Sequence, residues 1–486
     1  MKKKFKILFL AAVTFFMGSC GNDWLNLGPS TSLSSLDAVE DYADVYNLLV
    51  GTYNGLRGGG AGFYGAQIWY YGDVRADDVQ ARTTGMRASP AYEMQYTVLN
   101  APSIWADPYS VNSRANQVIF SIEDGFANDG NPANVNDMLG QALTVRAICH
   151  FELVRVHGKP YTMSGAPASF GVPIMTERHE PDYLPSRNSV EEVYAAIIAD
   201  LTRAIPLLKT AKSNGYINQW AAKALLARVY LTKGDYNNAY TTAVDIITNG
   251  GYPLWEYNEY EAAWSTRYGK ENIFEFIIIN TQGWTDREGI AYLYHESGYA
   301  DMILTKNFLD LIDLPEHEGD VRKSLFRKPT LLNFVTEPFW DKPVFLCKLQ
   351  GQDSDFRLNN VPVYRVAEQY LIAAEAALKK SSPDQAKADE YLNALVSKRN
   401  PSRGWVTATP ESVITERRIE LIGEGHRFFD VMRLGITVYR DDNGWHVPLI
   451  NDSRAISRDY YRTILPIPQS ELDANVNLHG QQNPGY

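Results

Sequence analysis

The stretch QWAAKALLARVYLTKGDYNNAYTTAVDIITNGG, residues 219–251, constrains the fold more than any other part of the chain. Trp220, Ala224, Ala227 and Leu231 fall at i, i+4, i+7 and i+11, which is one stripe of a helix. Lys233-Gly234-Asp235 then turns the chain. Tyr236, Ala239, Ala243 and Ile246 make a second stripe, which Gly250 and Gly251 end. Small alanines on the facing stripes let two helices approach closely, so the unit is a helix pair.

Further pairs follow the same pattern. NDMLGQALTVRAICHFELVRVHG predicts a helix ending at Gly158, with SVEEVYAAIIADLTRAIPLLK as its partner. VYRVAEQYLIAAEAALKK puts Val366, Tyr370, Ala373 and Ala377 on one face, and the next helix carries Ala388, Tyr391, Leu392 and Leu395. The Gly-Asp-Tyr turn and its flanking alanines resemble the tetratricopeptide pattern, which repeats every ~34 residues. The expected fold is mainly α: a tetratricopeptide-like helix-pair scaffold with long inserted loops and a little β. One domain over 20–486 is expected, with scaffold at about 36–57, 103–250, 306–313 and 363–435. Insertions are expected at about 58–102 and 251–305, with another near 436–465. ENIFEFIII, within the second, reads as a strand.

Residues 1–19 read as an export signal outside the fold. MKKKFK is a basic start, ILFLAAVTFF an apolar run, and MGSC ends in small residues and Cys20. That ending reads as a bacterial lipobox, with Met17 in place of the usual Leu and ordinary secretion as the alternative. Lipid on Cys20 would tether the body to a membrane. Removal of Lys2, Lys3, Lys4 and Lys6 makes the formal net charge of −11 more negative by four. So acidic a body repels phosphate backbones, which argues against nucleic acid as a partner. Cys149 and Cys347 remain, too few for a disulfide framework.

Several motifs suggest chemistry that their surroundings oppose. ERRIELIGEGHRFFDVMRLG crowds Glu420, Glu424, His426 and Asp430 together, but Arg417, Arg418, Arg427 and Arg433 interleave with them. Guanidinium groups lock carboxylates into ionised bidentate pairs, whereas a general acid needs a raised pKa. This stretch is read as scaffold. Arg146, on a largely apolar helix face, is expected to pair with a glutamate on a neighbouring helix. His150 and His157 lack the HExxH spacing of a zinc site. GGGAGFYGA matches G-x-G-x-x-G at Gly60, Gly62 and Gly65 but follows a helical pattern, so it reads as a flexible loop. NDGNPANVND lacks EF-hand spacing. No cofactor or catalytic residue is expected, and an isolated structural calcium stays open.

The more promising chemistry is non-covalent. Aromatic residues make up 12% of the chain, more than a core alone asks for, which suggests ring-lined surfaces. IWYYGDVRADDVQARTTGMR holds Trp69, Tyr70 and Tyr71 just before Asp73, Asp77, Asp78, Arg82 and Arg87. NTQGWTDREGIAYLYHESGY holds Trp284, Asp286, Arg287, Tyr292, Tyr294 and Tyr299. Flat rings cover the apolar faces of sugars, while carboxylates and guanidinium groups bond their hydroxyls. Trp69, Tyr71, Asp73, Asp77, Asp78, Arg82, Trp284, Tyr292 and Tyr294 are therefore the candidate ligand-binding residues. They form one cleft only if the two insertions adjoin. Packing of the rings in the scaffold is the competing reading for each.

Blocks along almost the whole chain resemble the SusD/RagB family of outer-membrane lipoproteins. They begin with CGNDWLNLGP after the lipobox and continue through QALTVRAICHFELVRVHGKPY and AAKALLARVYLTKGDYNNA. VYRVAEQYLIAAEAAL, ERRIELIGEGHRFFDVMRLG and LPIPQSELDANVNLHGQQNPGY follow in order. The resemblance implies a lipid-anchored, surface-exposed protein that sits as a lid on a SusC-like TonB-dependent barrel. The lid captures an oligosaccharide, or in some members a peptide, and alters no bond in it. It implies four tetratricopeptide-like units and a ligand site of inserted loops, but no invariant binding residue. A peptide-capturing lid, a surface glycosidase built on two of the aspartates and an adaptor without a small ligand are the alternatives.

Overall fold

Apolar stripes become helices where the sequence predicts them. The computed structural model describes residues 39–486 apart from 60–61, 83–86, 181, 214, 279–288, 328–342, 353–354 and 441–453. The scaffold helices are α1 (Tyr42–Arg57), α3 (Ala106–Glu123), α4 (Pro132–His157), α5 (Val190–Ala204), α6 (Gln219–Lys233) and α7 (Tyr236–Asn249). They continue as α8 (Val366–Lys379), α9 (Gln385–Arg399), α10 (Pro410–Glu420) and α11 (Arg427–Leu434). A short helix, α2 (Ile68–Asp73), lies within the first insertion. Helix α3 packs on α1 and α4, α4 on α5, α6 on α7, and α8 on α7, α9 and α10.

The turn between α6 and α7 shows the local logic. Gly234 takes φ +80°, which only glycine adopts cheaply, and ends α6. Asp235 then caps α7 by accepting from the Asn238 N–H at 3.2 Å. Ala224, Ala227, Ala239 and Ala243 are fully buried where the pair meets its neighbours. Ser189 and Glu192 form a reciprocal capping box that starts α5.

Strand pairing is sparse and long-range. Asn272–Phe276 pairs antiparallel with Val361–Arg365, which runs directly into α8. Val79–Ala81 pairs antiparallel with Met302–Leu304. Phe326–Arg327 pairs with Phe345–Leu346, and Val438–Tyr439 with Ala455–Ile456. A single large apolar cluster runs from Val45 to Leu478. Among the described residues no helix is long and apolar enough to cross a membrane. Cys20 and Trp284 lie outside the described residues.

Two expectations need correction. The first insertion is not simply a loop: Phe63–Gln67 forms a π-helical turn that leads into α2, with Gly62 at its start and Gly65 buried within it. Phe63, Tyr64, Ala66, Ile68, Trp69 and Tyr71 are all buried, so this stretch is held by its own apolar side chains. Arg146 does find a buried partner on α5, but it is Asp200, at 2.6 and 2.8 Å, and not a glutamate. Cys149 and Cys347 are both buried free thiols.

Candidate functional site

The stretch from Glu416 to Gly435 is largely buried and dense in ion pairs. Glu420, with no exposed surface, accepts from Arg365 and Arg399 on one oxygen at 3.0 and 3.1 Å. Its other oxygen meets Arg399 and Arg322 at 3.0 and 3.3 Å. Burial would raise this carboxyl, and the three arginines drive it well below the usual range. Glu424 is shared by Lys348 and Arg365, and Asp430 by Arg417 and Arg433. These groups are ionised and saturated, which suits a scaffold and leaves no acid to donate a proton.

The same arrangement absorbs the candidate aspartates. Arg427 reaches Asp77 at 2.7 and 3.0 Å, and Arg418 reaches Asp78 at 2.5 and 3.1 Å. Burial would raise Asp77, but Arg427 and Arg418 bring it down to about 2. Asp73, 1% exposed, accepts from the Tyr294 hydroxyl at 2.8 Å and from the Gly425 N–H at 3.0 Å. Burial pushes this carboxyl up to about 8 against both bonds. Trp69 is buried with its indole N–H on the Tyr64 carbonyl at 3.0 Å, and Tyr71 is buried beside Arg75. Tyr294 is buried on Asp73. Trp69, Tyr71, Asp73, Asp77, Asp78 and Tyr294 are thus buried among scaffold side chains, whereas the ligand-binding expectation was of residues that face a cleft. For Asp77 and Asp78 the physical reason is charge pairing with Arg427 and Arg418 of the C-terminal half; Asp73 is instead covered by Tyr294 and the Gly425 backbone.

Yet the two insertions do adjoin. Their strands pair from Val79 with Leu304 to Ala81 with Met302. Beyond that ladder the Arg82 N–H donates to the Asp301 carbonyl at 2.8 Å, and its guanidinium to the Ala300 carbonyl at 3.1 Å. Asp301 Oδ2 accepts from the Arg87 N–H at 2.9 Å. The Arg87 guanidinium lies 3.4 Å above the ring of Tyr299. The short helix Ile290–Tyr294 presents Tyr292 beside Tyr299, with ring centroids 4.9 Å apart.

An aromatic patch grows from that junction. His295 stacks on Phe356 with centroids 4.1 Å apart and planes 1° from parallel, and Tyr292 lies 5.2 Å from the same Phe356. Tyr292, His295, Tyr299 and Phe356 are all partly exposed. The Asp355–Arg357 pair, at 2.6 Å, stands beside them. Next to His295 is a cavity of about 400 Å³ that Glu296, Arg327, Cys347 and Gln350 help to line. Half-buried rings with ion pairs and amides at their edge can take a ligand that has both apolar faces and hydroxyl groups. Tyr292 and Arg82 are the expected residues that this junction brings together. His295 and Phe356 were not anticipated; they lie 61 positions apart in the chain, and only the fold stacks them. The cluster DSDFR was the sole local hint of the second.

The two histidines of α4 each engage a backbone group. His150 Nε2 accepts from the Met175 N–H at 3.2 Å, and His157 Nδ1 meets the Leu465 carbonyl at 3.3 Å. Among the described residues no group of three or more potential metal ligands occurs.

Comparison with known proteins agrees with this architecture. Residues 346–486 match the sequence model of the SusD family, and residues 23–231 match one described as starch-binding associating with outer membrane. A SusD superfamily protein of Bacteroides thetaiotaomicron VPI-5482 is 37% identical, with a TM-score of 0.85 over 91% of this chain and 100% of that one. A second, from Bacteroides vulgatus ATCC 8482, is 32% identical, with a TM-score of 0.81 over 92% and 99%. SusD-like protein P2 of Formosa agariphila is 27% identical over 533 residues, covering all of both chains.

Proposed function

The chain belongs to the SusD family, and from that premise we propose that it is a cell-surface lipoprotein that captures an oligosaccharide without altering it. Lipid on Cys20 tethers it to the outer membrane, and it acts as a lid that delivers the glycan to a SusC-like TonB-dependent barrel. The observation that carries the ligand class is the junction of the two insertions, where Tyr292, His295, Tyr299 and Phe356 stand half-exposed beside Arg87 and the Asp355–Arg357 pair. The family models support a starch-like glycan and outer-membrane association. Trp284, in the same insertion but outside the described residues, belongs to this proposal as a further ring. The case against hydrolysis rests on access: Asp73, Asp77 and Asp78 are all buried, and Asp77 and Asp78 are engaged by arginines, so no pair of them faces a cleft that a sugar could enter.

Calorimetry of the ectodomain against a glycan panel and a peptide pool tests the reading. Saturable heat with an α-glucan or another oligosaccharide, weakened by Tyr299→Ala, is the expected result. Heat from peptides alone would replace the glycan by a peptide.

A further inference from the structure

A further concavity lies away from the loop junction. It is a groove of about 890 Å³ between α3, the segment around residues 173–185 and the C-terminal helix Gln469–Ala474. A cavity of that size is in the range of organic-ligand sites. Two ring surfaces stand open in its wall: Phe126 is 41% exposed and Tyr183 is 47% exposed. Tyr183 lies flat on His179, with centroids 3.8 Å apart and planes 7° from parallel, so the wall is a doubled planar platform.

Asn112 also lines the groove and is 1% exposed. Its Nδ2 donates to the Met175 carbonyl at 2.8 Å, while its Oδ1 is buried and meets no donor. A buried acceptor without a donor costs about 1–3 kcal/mol, so the site favours a ligand that brings a hydroxyl or N–H. At the rim, Arg178 is held by Asp124 at 2.6 Å and by the Phe120 carbonyl at 3.2 Å. Its positive charge is neutralised there, so the groove has no cationic grip on an anion.

We infer that this groove is a second binding site for a neutral oligosaccharide, separate from the loop junction: Phe126 and the Tyr183–His179 stack cover apolar sugar faces, and Asn112 Oδ1 accepts from a sugar hydroxyl. The inference borrows its ligand class from the function proposed above, and its residues are independent of that site. Two sites on one lid would let it hold a long glycan at two points, raising retention by effective concentration.

The test is calorimetry of the full ectodomain with maltoheptaose and with cello-, xylo- and laminari-hexaose. The wild type should show two classes of sites for at least one probe. The double variant Phe126→Ala/Tyr183→Ala should weaken one class by about tenfold or more and leave the other intact. Tyr299→Ala should do the reverse. Both substitutions in the double variant truncate exposed rings, so its melting curve should match the wild type. Asn112→Leu, which keeps the volume and removes the acceptor, should weaken the groove class alone. A single class that only Tyr299→Ala weakens overturns the groove and leaves the loop site standing. A single class that only the double variant weakens bears out the groove and overturns the loop site. Absence of binding to every probe overturns both.

Discussion

Asp73, Asp77 and Asp78 lie within six positions yet carry different chemistry, and their neighbours decide which. Asp77 faces two guanidinium groups and stays ionised, while Asp73 bonds a hydroxyl and one backbone N–H, has no guanidinium partner, and is pushed up to about 8 by burial. A buried carboxyl whose folded value lies above its ordinary 3.8 keeps its proton when the unfolded chain has released it. Its stabilising effect is therefore complete below about pH 4 and is lost as the pH climbs to about 8. Asp73→Asn should flatten the fall in stability over that window, by at most about 1.4 kcal/mol per pH unit. Urea titrations at pH 5 and 8 read this directly, and equal slopes for variant and wild type would refute it. Asp77→Ala should cost about 3 kcal/mol, because it takes from the buried Arg427 its bidentate partner and leaves only Asp78 at 3.5 Å. A glycosidase would instead lose reducing-sugar release in that variant; the lid reading expects no release from either protein. The arginine-rich stretch was legible as scaffold because its own composition opposes acid chemistry. The partners were not legible: Glu420 is neutralised by Arg322, Arg365 and Arg399, none of which lies in that stretch.

At the scale of elements, local signals were sufficient where the chain caps its own helices. Gly234 and Asp235 end one helix and start the next, and both roles are written in the Gly-Asp-Tyr turn. Gly234→Ala should lower stability by about 1–2 kcal/mol, the cost of a left-handed backbone with a side chain; thermal melting measures it, and an unchanged midpoint would count against the turn. Gly72 illustrates a signal the sequence hides. A Cβ there would overlap the carbonyl of Gly425, so α2 sits on the turn before α11 with backbone against backbone. The two glycines are 353 positions apart, and the close approach gives Asp73 its bond to the Gly425 N–H. That contact explains why the first insertion is packed and not loose.

At the scale of the whole molecule, the junction of two insertions joins a rigid platform to a ring-bearing edge. Tyr299→Ala should weaken glycan binding by about 1–3 kcal/mol, the range for one aromatic anchor. It should leave the melting temperature nearly unchanged, because that ring is partly exposed. A large drop in melting temperature would place Tyr299 in the core. Glu420→Ala should do the opposite, lowering stability because Arg322, Arg365 and Arg399 lose a shared buried counter-charge, while any remaining folded protein binds normally. Purification of the protein from membranes should bring a TonB-dependent barrel with it; repeated isolation without one, in mild detergent, would count against the lid.

Periodicity, caps and composition by themselves determined the helical pairs, the strand at Asn272–Phe276 and the structural reading of the charge-dense stretch, because each depends on residues within a few turns of one another. The tertiary structure alone decided which rings and acids face solvent. Trp69 and Tyr292 look alike in the sequence, but one is buried beneath α11 and its preceding turn, while the other edges a patch shared with Phe356. Exposure is a property of what packs on top of a residue, and here the covering segments come from hundreds of positions away.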